Sequence, residues 1–176
     1  RVVATDGQDF VVGALVQANY GTRESLRIAG VPVGTHLPVG ATGASENGSI
    51  IIVIATDAPL LPHQLRRLAR RASLGLARMG SYAGNGSGDI FIAFSTDNRS
   101  ALLGAAQAQA SFLGNDYLDG LFEATVQATE EAIVNAMVAA RDMDGTEGRR
   151  AIALPHDELV ALLRRYRRCE PRASTR

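Results

Sequence analysis

The feature that most constrains the fold is the apolar run "IIIVIA" at residues 50–55, in which every residue but the last is β-branched. A continuous run of this length and composition is typical of a strand that is buried on both faces. A second run, "IFIAFS" at residues 90–95, follows after a segment with helical periodicity. The sequence therefore predicts strand, helix and strand in that order.

Amphipathic patterns predict the remaining elements. Apolar residues recur at helical spacing over 61–76, and four arginines (66, 67, 70 and 71) lie mostly on the other side of that helix. A longer helix begins near Asn115, and its inner stripe consists of Leu118, Leu121, Phe122, Thr125, Thr129, Ala132, Ile133, Ala136 and Met137. Strands are predicted at 9–20, around 26–33 and at 150–154, and a final helix at 155–166. Few strands with flanking amphipathic helices predict a layered α/β or α+β domain whose sheet is covered on its outer face by helices.

The composition fits a single globular domain. The chain has 176 residues, of which 46% are hydrophobic and 20% are charged, which is ordinary usage for a folded domain. Its 18 basic and 18 acidic residues balance, so no net charge attracts the chain to nucleic acid or to an anionic membrane. The longest apolar run is too short for a membrane span. We therefore expect a soluble protein, and both the cytoplasm and the periplasm stay open as its compartment.

Cysteine and histidine usage argues against a disulfide framework and a metal site. A single cysteine, Cys169, permits no internal disulfide and no cysteine-based zinc site. The histidines are His36, His63 and His156, and no spacing links any of them to a serine. Two acidic residues follow His156 directly, but consecutive residues on a helix point in different directions. We therefore expect no metal, no other cofactor and no histidine-based triad.

Ser49 stands directly before the 50–55 run, after Gly48 and a loop of small residues within 21–48. A serine at such a place is often only a turn residue. The alternative is chemical, because the carbonyl of Gly48 is sterically open and the neighbouring hydroxyl is the reactant for an N-to-O acyl shift. If the bond between them breaks, Ser49 gains a terminal α-amine that can act as a local base at neutral pH.

Two further segments contain candidates for the same chemistry. In "GNGSGD", residues 84–89, Ser87 and Asp89 share one side of an extended backbone, so that hydroxyl and carboxylate can orient or relay a proton. Asn19 in "VQANYG" ends the first long strand, and its amide can donate to an oxyanion. The alternatives are a glycine-rich turn capped by Asp89 and a strand-ending turn at Asn19. A nucleotide-binding glycine loop would open a helix, whereas this one opens a strand.

Together these signals resemble one family. The blocks "VQANYG", "NGSIIIVIATDAPLLPHQL", "GNGSGDIFIAFST" and "AIALPHDEL" are similar to those of the β-peptidyl aminopeptidases and L-aminopeptidase/D-esterase-amidases. These are self-cleaving serine hydrolases related in architecture to N-terminal nucleophile enzymes. The resemblance runs over nearly the whole chain, and it implies a four-layer α/β/β/α sandwich.

The resemblance also implies roles for individual residues. A precursor would be cut between Gly48 and Ser49, so that 1–48 ends the first subunit with its processing loop and 49–176 forms the second. Ser49 would be the nucleophile, Ser87 and Asp89 would position and assist it, and Asn19 would donate to the oxyanion. The chain would be the C-terminal part of a longer precursor, whose upstream segment supplies more of the sheet, a second oxyanion contributor and the residues that receive the substrate's amino group. The implied substrates are short peptides, amides or esters with a free amino terminus, and the implied assembly is a homo-oligomer.

Two rival functions stay open at this point. Acyltransferases of similar architecture, such as the ornithine acetyltransferases, also cleave themselves, but they use threonine where this chain has Ser49. The second rival is a non-catalytic oligomeric scaffold that keeps the fold. The sequence does not distinguish α- from β-amino acids, or L from D residues, at the start of the substrate.

Overall fold

A four-stranded sheet forms the centre of the chain, and its strands lie side by side in the order in which they occur in the sequence. The computed structural model describes residues 1–37, 48–99, 106–148 and 150–169. The strands are β1 (Val2–Thr5), β2 (Gln8–Asn19), β3 (Ser49–Thr56) and β4 (Ile90–Ser95). β2 runs antiparallel to β1 and β3, whereas β3 and β4 are parallel. Residues 38–47, which belong to the predicted processing loop, and residues 170–176 lie outside the described residues.

Two long helices cover one face of this sheet. α2 (Pro62–Arg78) connects β3 to β4, and α3 (Asp119–Ala139) packs on β2 and α2. The crossover from β3 through α2 to β4 is the strand, helix, strand order that the sequence predicted. The other elements are α1 (Val33–His36), α4 (His156–Arg165) and a ribbon of β5 (Met143–Asp144) and β6 (Arg150–Ala151). Within the described ranges, no helix combines the length and the apolar character that a bilayer crossing requires.

One buried glutamine fixes the start of α2. Pro62 occupies the first turn, where its missing N–H leaves no helical bond unmade. Gln64 accepts the N–H of Leu61 through Oε1 at 2.9 Å and donates from Nε2 to the carbonyl of Leu113 at 2.7 Å. Because Gln64 is only 1% exposed, both bonds are shielded from water. The same side chain therefore caps α2 and ties it to the segment that leads into α3.

Helices α2 and α3 approach each other closely at Gly75. A Cβ at Gly75 would lie 2.7 Å from the Cβ of Thr129, so a larger residue there would force the helices apart. Nearby, the guanidinium groups of Arg71 and Arg67 lie 3.9 Å and 5.0 Å from the centre of the Phe122 ring. These are cation–π contacts. Two of the arginines that were predicted mostly on the other side of this helix therefore pack against α3.

The two faces of the sheet differ in exposure. On the helix-covered face, Ile52 and Ile54 are fully buried at 0% exposure. On the other face, the exposed fractions are 72% for Leu15, 38% for Ile51 and 49% for Ile92. The prediction of a strand at 50–55 is confirmed, but its burial on both faces is wrong for the described chain. A sheet with one helix-covered face and one open apolar face is the arrangement expected of half a four-layer sandwich, in which the open faces of two sheets meet.

The strand predicted around 26–33 is not formed. Ala29 and Gly30 have positive φ angles of 50° and 78°, so the chain turns back on itself after Ile28. Ile28 and Val31 form only an isolated antiparallel bridge, and α1 begins two residues later. The segment makes a tight turn, and no strand of the sheet pairs with it.

Two boundaries and two other details also differ from the predictions. The strand predicted at 150–154 is reduced to β6, which pairs with β5 and does not join the central sheet. A 3-10 turn at Asn115–Tyr117 precedes α3, so the long helix starts later than expected. α3 buries Ala124, Val126 and Ala128 in addition to its predicted stripe, because it contacts both α2 and the sheet. β1 was not predicted.

Candidate active site

The predicted site residues come together at one edge of the sheet, where β2 ends and β3 and β4 begin. Ser49, the first residue of β3, pairs across the antiparallel ladder with Asn19, the last residue of β2. Directly paired residues project from the same side of a sheet, so the hydroxyl and the amide are neighbours. Because strand residues alternate and Ile50 faces the helices, this pair lies on the open face.

The loop before β4 makes the next contacts with Ser49. Since β3 and β4 are parallel, the loop at 84–89 meets the start of β3. The backbone N–H of Gly88 donates to Ser49 Oγ at 2.9 Å. The N–H of Ile50 donates to Asp89 Oδ1, also at 2.9 Å. This loop therefore holds both the hydroxyl of Ser49 and the peptide group that follows it.

Three buried polar atoms at this edge have no hydrogen-bond partner in the described part of the chain. They are the hydroxyl oxygens of Ser87 and Tyr20 and the Oδ2 of Asp89. Buried polar side-chain atoms in folded proteins are nearly always paired, so each unpaired one needs an explanation. Their position around Ser49 indicates groups that are kept available for a ligand or for a proton.

Tyr20 is the residue at this edge that the sequence analysis missed, because "NYG" reads as a turn signal. Its side chain packs against the core. Burial raises the pKa of the Tyr20 phenol, and the negative charge of Asp89 raises it further. The phenol therefore stays protonated at neutral pH and can donate a hydrogen bond. The only sequence signal for it is its place directly after Asn19.

Gly48 packs against the end of β2 so tightly that only glycine fits. A Cβ at Gly48 would collide with the carbonyl oxygen of Asn19 and would lie 3.0 Å from the Cα of Tyr20. Both neighbours are backbone atoms, which a side chain could displace only by moving the strand. The glycine expected to leave its carbonyl open to attack is thus also required by the packing.

Two clefts flank these residues. One has a volume of about 340 Å³, is mostly apolar, and includes Asn19, Tyr20 and Met79 in its walls. The other has a volume of about 470 Å³ and includes Ser87 and Asp89. Both volumes fall in the range of sites that bind small molecules. The edge that carries Ser49 therefore has room for a ligand on either side.

The three histidines belong to the helices α1, α2 and α4. His36 Nε2 and the hydroxyl of Tyr166 are 3.0 Å apart, so His36 links α1 to the end of α4. His63 belongs to the first turn of α2, and His156 begins α4. Over the described ranges no hydrogen bond joins a histidine to Ser49, and no group of three or more His, Cys, Asp or Glu residues could hold a metal ion.

The fold and the site define a class of protein. The chain superposes on the L-aminopeptidase D-Ala-esterase/amidase of Ochrobactrum anthropi with a TM-score of 0.86 and 48% identity, over 97% of this chain and 47% of that one. That structure is described as a new variant among the Ntn hydrolase fold. The PH0078 protein of Pyrococcus horikoshii OT3 also gives a TM-score of 0.86, with 49% identity over 94% of this chain and 46% of that one. The predicted layered fold, of the N-terminal nucleophile type, is confirmed.

The chain belongs to peptidase family S58, whose family model matches residues 1–151. It is 49% identical to the beta-peptidyl aminopeptidase BapA of Sphingosinicella microcystinivorans, over 96% of this chain and 46% of that relative. The resemblance inferred from the four sequence blocks is thereby confirmed. The chain spans about half the length of the curated relatives it matches, since it covers 46% and 44% of them.

Proposed function

We propose that this chain belongs to a self-processing serine aminopeptidase with amidase and esterase activity, in which Ser49 forms the acyl-enzyme. One observation carries the proposal: the hydroxyl of Ser49 lies beside Asn19 and is held by the loop at 84–89. The unpaired buried atoms of Ser87 and Asp89 at the same edge support it. The relatives named beta-peptidyl aminopeptidase and L-aminopeptidase D-Ala-esterase/amidase support the substrate class.

Maturation is the first reaction of this proposal. The hydroxyl oxygen of Ser49 attacks the carbonyl carbon of Gly48, the C–N bond between the two residues breaks, and the hydroxyl proton passes to the departing nitrogen. An ester then joins Gly48 to Ser49 Oγ. Water hydrolyses this ester, which leaves a carboxylate on Gly48 and a free α-amine and hydroxyl on Ser49. Asp89 assists the proton transfer, because its Oδ2 is buried and unpaired while its Oδ1 holds the N–H of Ile50, the residue after Ser49.

Turnover uses the same oxygen on a substrate. The α-amine of Ser49 takes the hydroxyl proton while Oγ attacks the carbonyl carbon of the substrate's first residue. The resulting oxyanion accepts a hydrogen bond from the Asn19 amide. The bond to the leaving amine or alcohol then breaks, and the leaving group takes the proton. Water then releases the acyl group, and in both halves either the α-amine or Ser87 with Asp89 manages the proton.

The substrates in this proposal are short peptides, amides or esters with a free amino terminus. The partner that completes the enzyme is an upstream segment of the same precursor, and the processed pairs, 1–48 with that segment and 49–176, assemble into a homo-oligomer. The open apolar face around Leu15 and Ile92 supports such a partner, because a contiguous apolar surface is stable in water only when it is covered. A serine at position 49, where the acetyltransferases use threonine, favours the hydrolase over the acyltransferase.

The test is the intact mass of the purified full-length protein under denaturing conditions, together with its rate on an amino-acid amide. We expect two fragments that meet at the bond between Gly48 and Ser49. In Ser49→Ala we expect one uncut mass and an amidase rate at least about 10³-fold lower, because the nucleophile is gone. Ser111→Ala is the matched control, since Ser111 is exposed and lies far from this edge.

A wild-type protein that stays uncut after long incubation and shows no amidase activity would refute the hydrolase. If that protein still forms a defined oligomer, the scaffold is the better account. A Ser49→Ala protein that is cut and active would show that another residue is the nucleophile.

A further inference from the structure

The contact between Gly88 and Ser49 joins a backbone donor to the reacting oxygen. The 2.9 Å bond from the Gly88 N–H uses one of the two lone pairs of Ser49 Oγ. The hydroxyl proton of Ser49 is not used in this bond and stays free to leave toward a base. A donor in this position therefore fixes the oxygen and at the same time keeps it reactive.

The lack of a side chain at position 88 is explained by this oxygen alone. A Cβ on Gly88 would lie 3.2 Å from Ser49 Oγ and, beyond its chain neighbours, would meet no other atom of the described residues within 4 Å. The φ angle of Gly88 lies outside the left-handed region, so the backbone itself does not require glycine. The local backbone and packing thus tolerate a methyl group at position 88, and only the serine oxygen would have to move.

The Gly88 N–H is held in place from both sides. On one side, the N–H of Ser87 donates to the carbonyl of Gly84 at 2.9 Å. On the other, Asp89 Oδ1 accepts the N–H of Ile50 at 2.9 Å, which binds the loop to β3. A donor that is already oriented before reaction stabilises developing charge without reorganising.

We propose that Gly88 is a further catalytic residue, whose N–H donates to Ser49 Oγ as that oxygen gains and loses charge. This inference rests on the proposed function. In the attack, Oγ gives its proton to the base and gains negative charge until the new C–O bond forms. In deacylation that bond breaks, its electron pair stays on Oγ, and the oxygen takes up a proton. The N–H remains bonded to the oxygen and stabilises its charge in both steps.

The test compares Gly88→Ala with Gly114→Ala in the full-length protein. The same methyl group at Gly114 would lie 3.4 Å from the Tyr117 ring, an ordinary contact far from Ser49. For Gly88→Ala we expect self-cleavage and kcat each to fall at least about tenfold, because a small displacement of a reacting atom is costly. KM should change less than about twofold, because a displaced oxygen weakens the transition state more than substrate binding. The melting temperature should stay at the wild-type value, and Gly114→Ala should match the wild type in all of these measurements.

A second measurement reports the contact without relying on activity. Amide hydrogen exchange at Gly88 should be at least about tenfold faster in Ser49→Ala than in the wild type, because the acceptor oxygen is lost. The Ile50 N–H, bound by Asp89, should keep its protection in the same variant. If Gly88→Ala does not fold, this comparison decides the question alone.

The outcomes separate the two proposals. A cut and active wild type with a normal Gly88→Ala variant would overturn only the role of Gly88, as would unchanged exchange at Gly88 in Ser49→Ala. A wild type that is neither cut nor active would overturn the proposed function itself.

Discussion

Two aspartates at opposite ends of β3 make the same backbone contact in different surroundings. Asp57 Oδ1 accepts the N–H of Val11 at 2.7 Å just after the strand ends, and Asp89 Oδ1 accepts the N–H of Ile50 at 2.9 Å where it begins. The carboxylate of Asp57 is exposed to solvent. The Oδ2 of Asp89 is buried and unpaired, and the charge of Asp89 acts on the equally unpaired Tyr20, whose pKa it raises.

The end of β3 at Asp57 also borders a cleft of about 900 Å³, which is larger than the two clefts beside Ser49. The polar groups of this larger cleft, however, bond to each other. The side chain of Asn98 donates to the carbonyl of Ser111 at 2.9 Å and accepts its N–H at 2.8 Å. The comparison teaches that unmet hydrogen-bonding capacity is a better guide to the site than the size of a cleft. At the Asp57 end of β3 the side chain of Asn98 is paired with Ser111, whereas at the Ser49 end Ser87 and Asp89 each keep an unpaired buried atom.

The largest effect that tests this comparison is expected from Asp89→Asn. Asparagine keeps an oxygen for the Ile50 N–H but loses the charge, so we expect kcat to fall about 10²-fold. Asp57→Asn is the matched control and should change kcat less than about twofold. Steady-state kinetics on an amino-acid amide measure both. Equal kcat values for the two variants would show that Asp89, like Asp57, only accepts a backbone N–H and has no role in the reaction.

A second pair of variants compares two serines. Ser95 Oγ donates to the buried carbonyl of Ala58 at 2.7 Å, so Ser95→Ala should lower the free energy of unfolding by about 1–2 kcal/mol and leave kcat unchanged. Ser87→Ala removes an unpaired hydroxyl, so we expect little change in stability and a slower reaction. Urea unfolding and kinetics on the same preparations measure both quantities. A destabilised Ser87→Ala would show that its hydroxyl has a structural role.

The smallest effect is expected from Tyr20→Phe and depends on pH. Because its pKa is raised, the folded protein keeps the phenol proton at a pH where the unfolded chain has released it. The stability that Tyr20 contributes is therefore complete below about pH 10 and is lost as pH rises above that value. Melting temperatures between pH 8 and pH 11 should fall less steeply for Tyr20→Phe than for the wild type. If melting temperature fell equally steeply with pH in both proteins, burial would not raise the pKa of Tyr20 in the folded state.

Local patterns predicted the central elements because the signal for each lies within its own residues. The strands at 50–55 and 90–95 and the helix at 61–76 have continuous apolar runs or clear periodicity, and they lie where they were expected. The strand around 26–33 failed, because its apolar residues were visible but the positive φ angles at Ala29 and Gly30 were not.

The site was predictable as a set of residues but not as an arrangement. Motifs identified Ser49, Ser87, Asp89 and Asn19 as candidates, and the structure brings them to one edge. The contact between Gly88 and Ser49 joins residues 39 positions apart, and it depends on the parallel register of β3 and β4. Tyr20 was missed because its significance lies in burial and in the charge of Asp89, which no local pattern reports.

The pairing of Ser49 with Asn19 has a consequence for the form of the protein after the proposed maturation. Once the bond to Gly48 is cut, Ser49 is a chain end, and such ends usually fray. Here the new end is already the first rung of a ladder, and Asp89 holds the next N–H. The new terminus therefore needs no refolding to find its place, and the proposed cut form differs from the uncut one by a single broken bond, a new amine on Ser49 and a new carboxylate on Gly48.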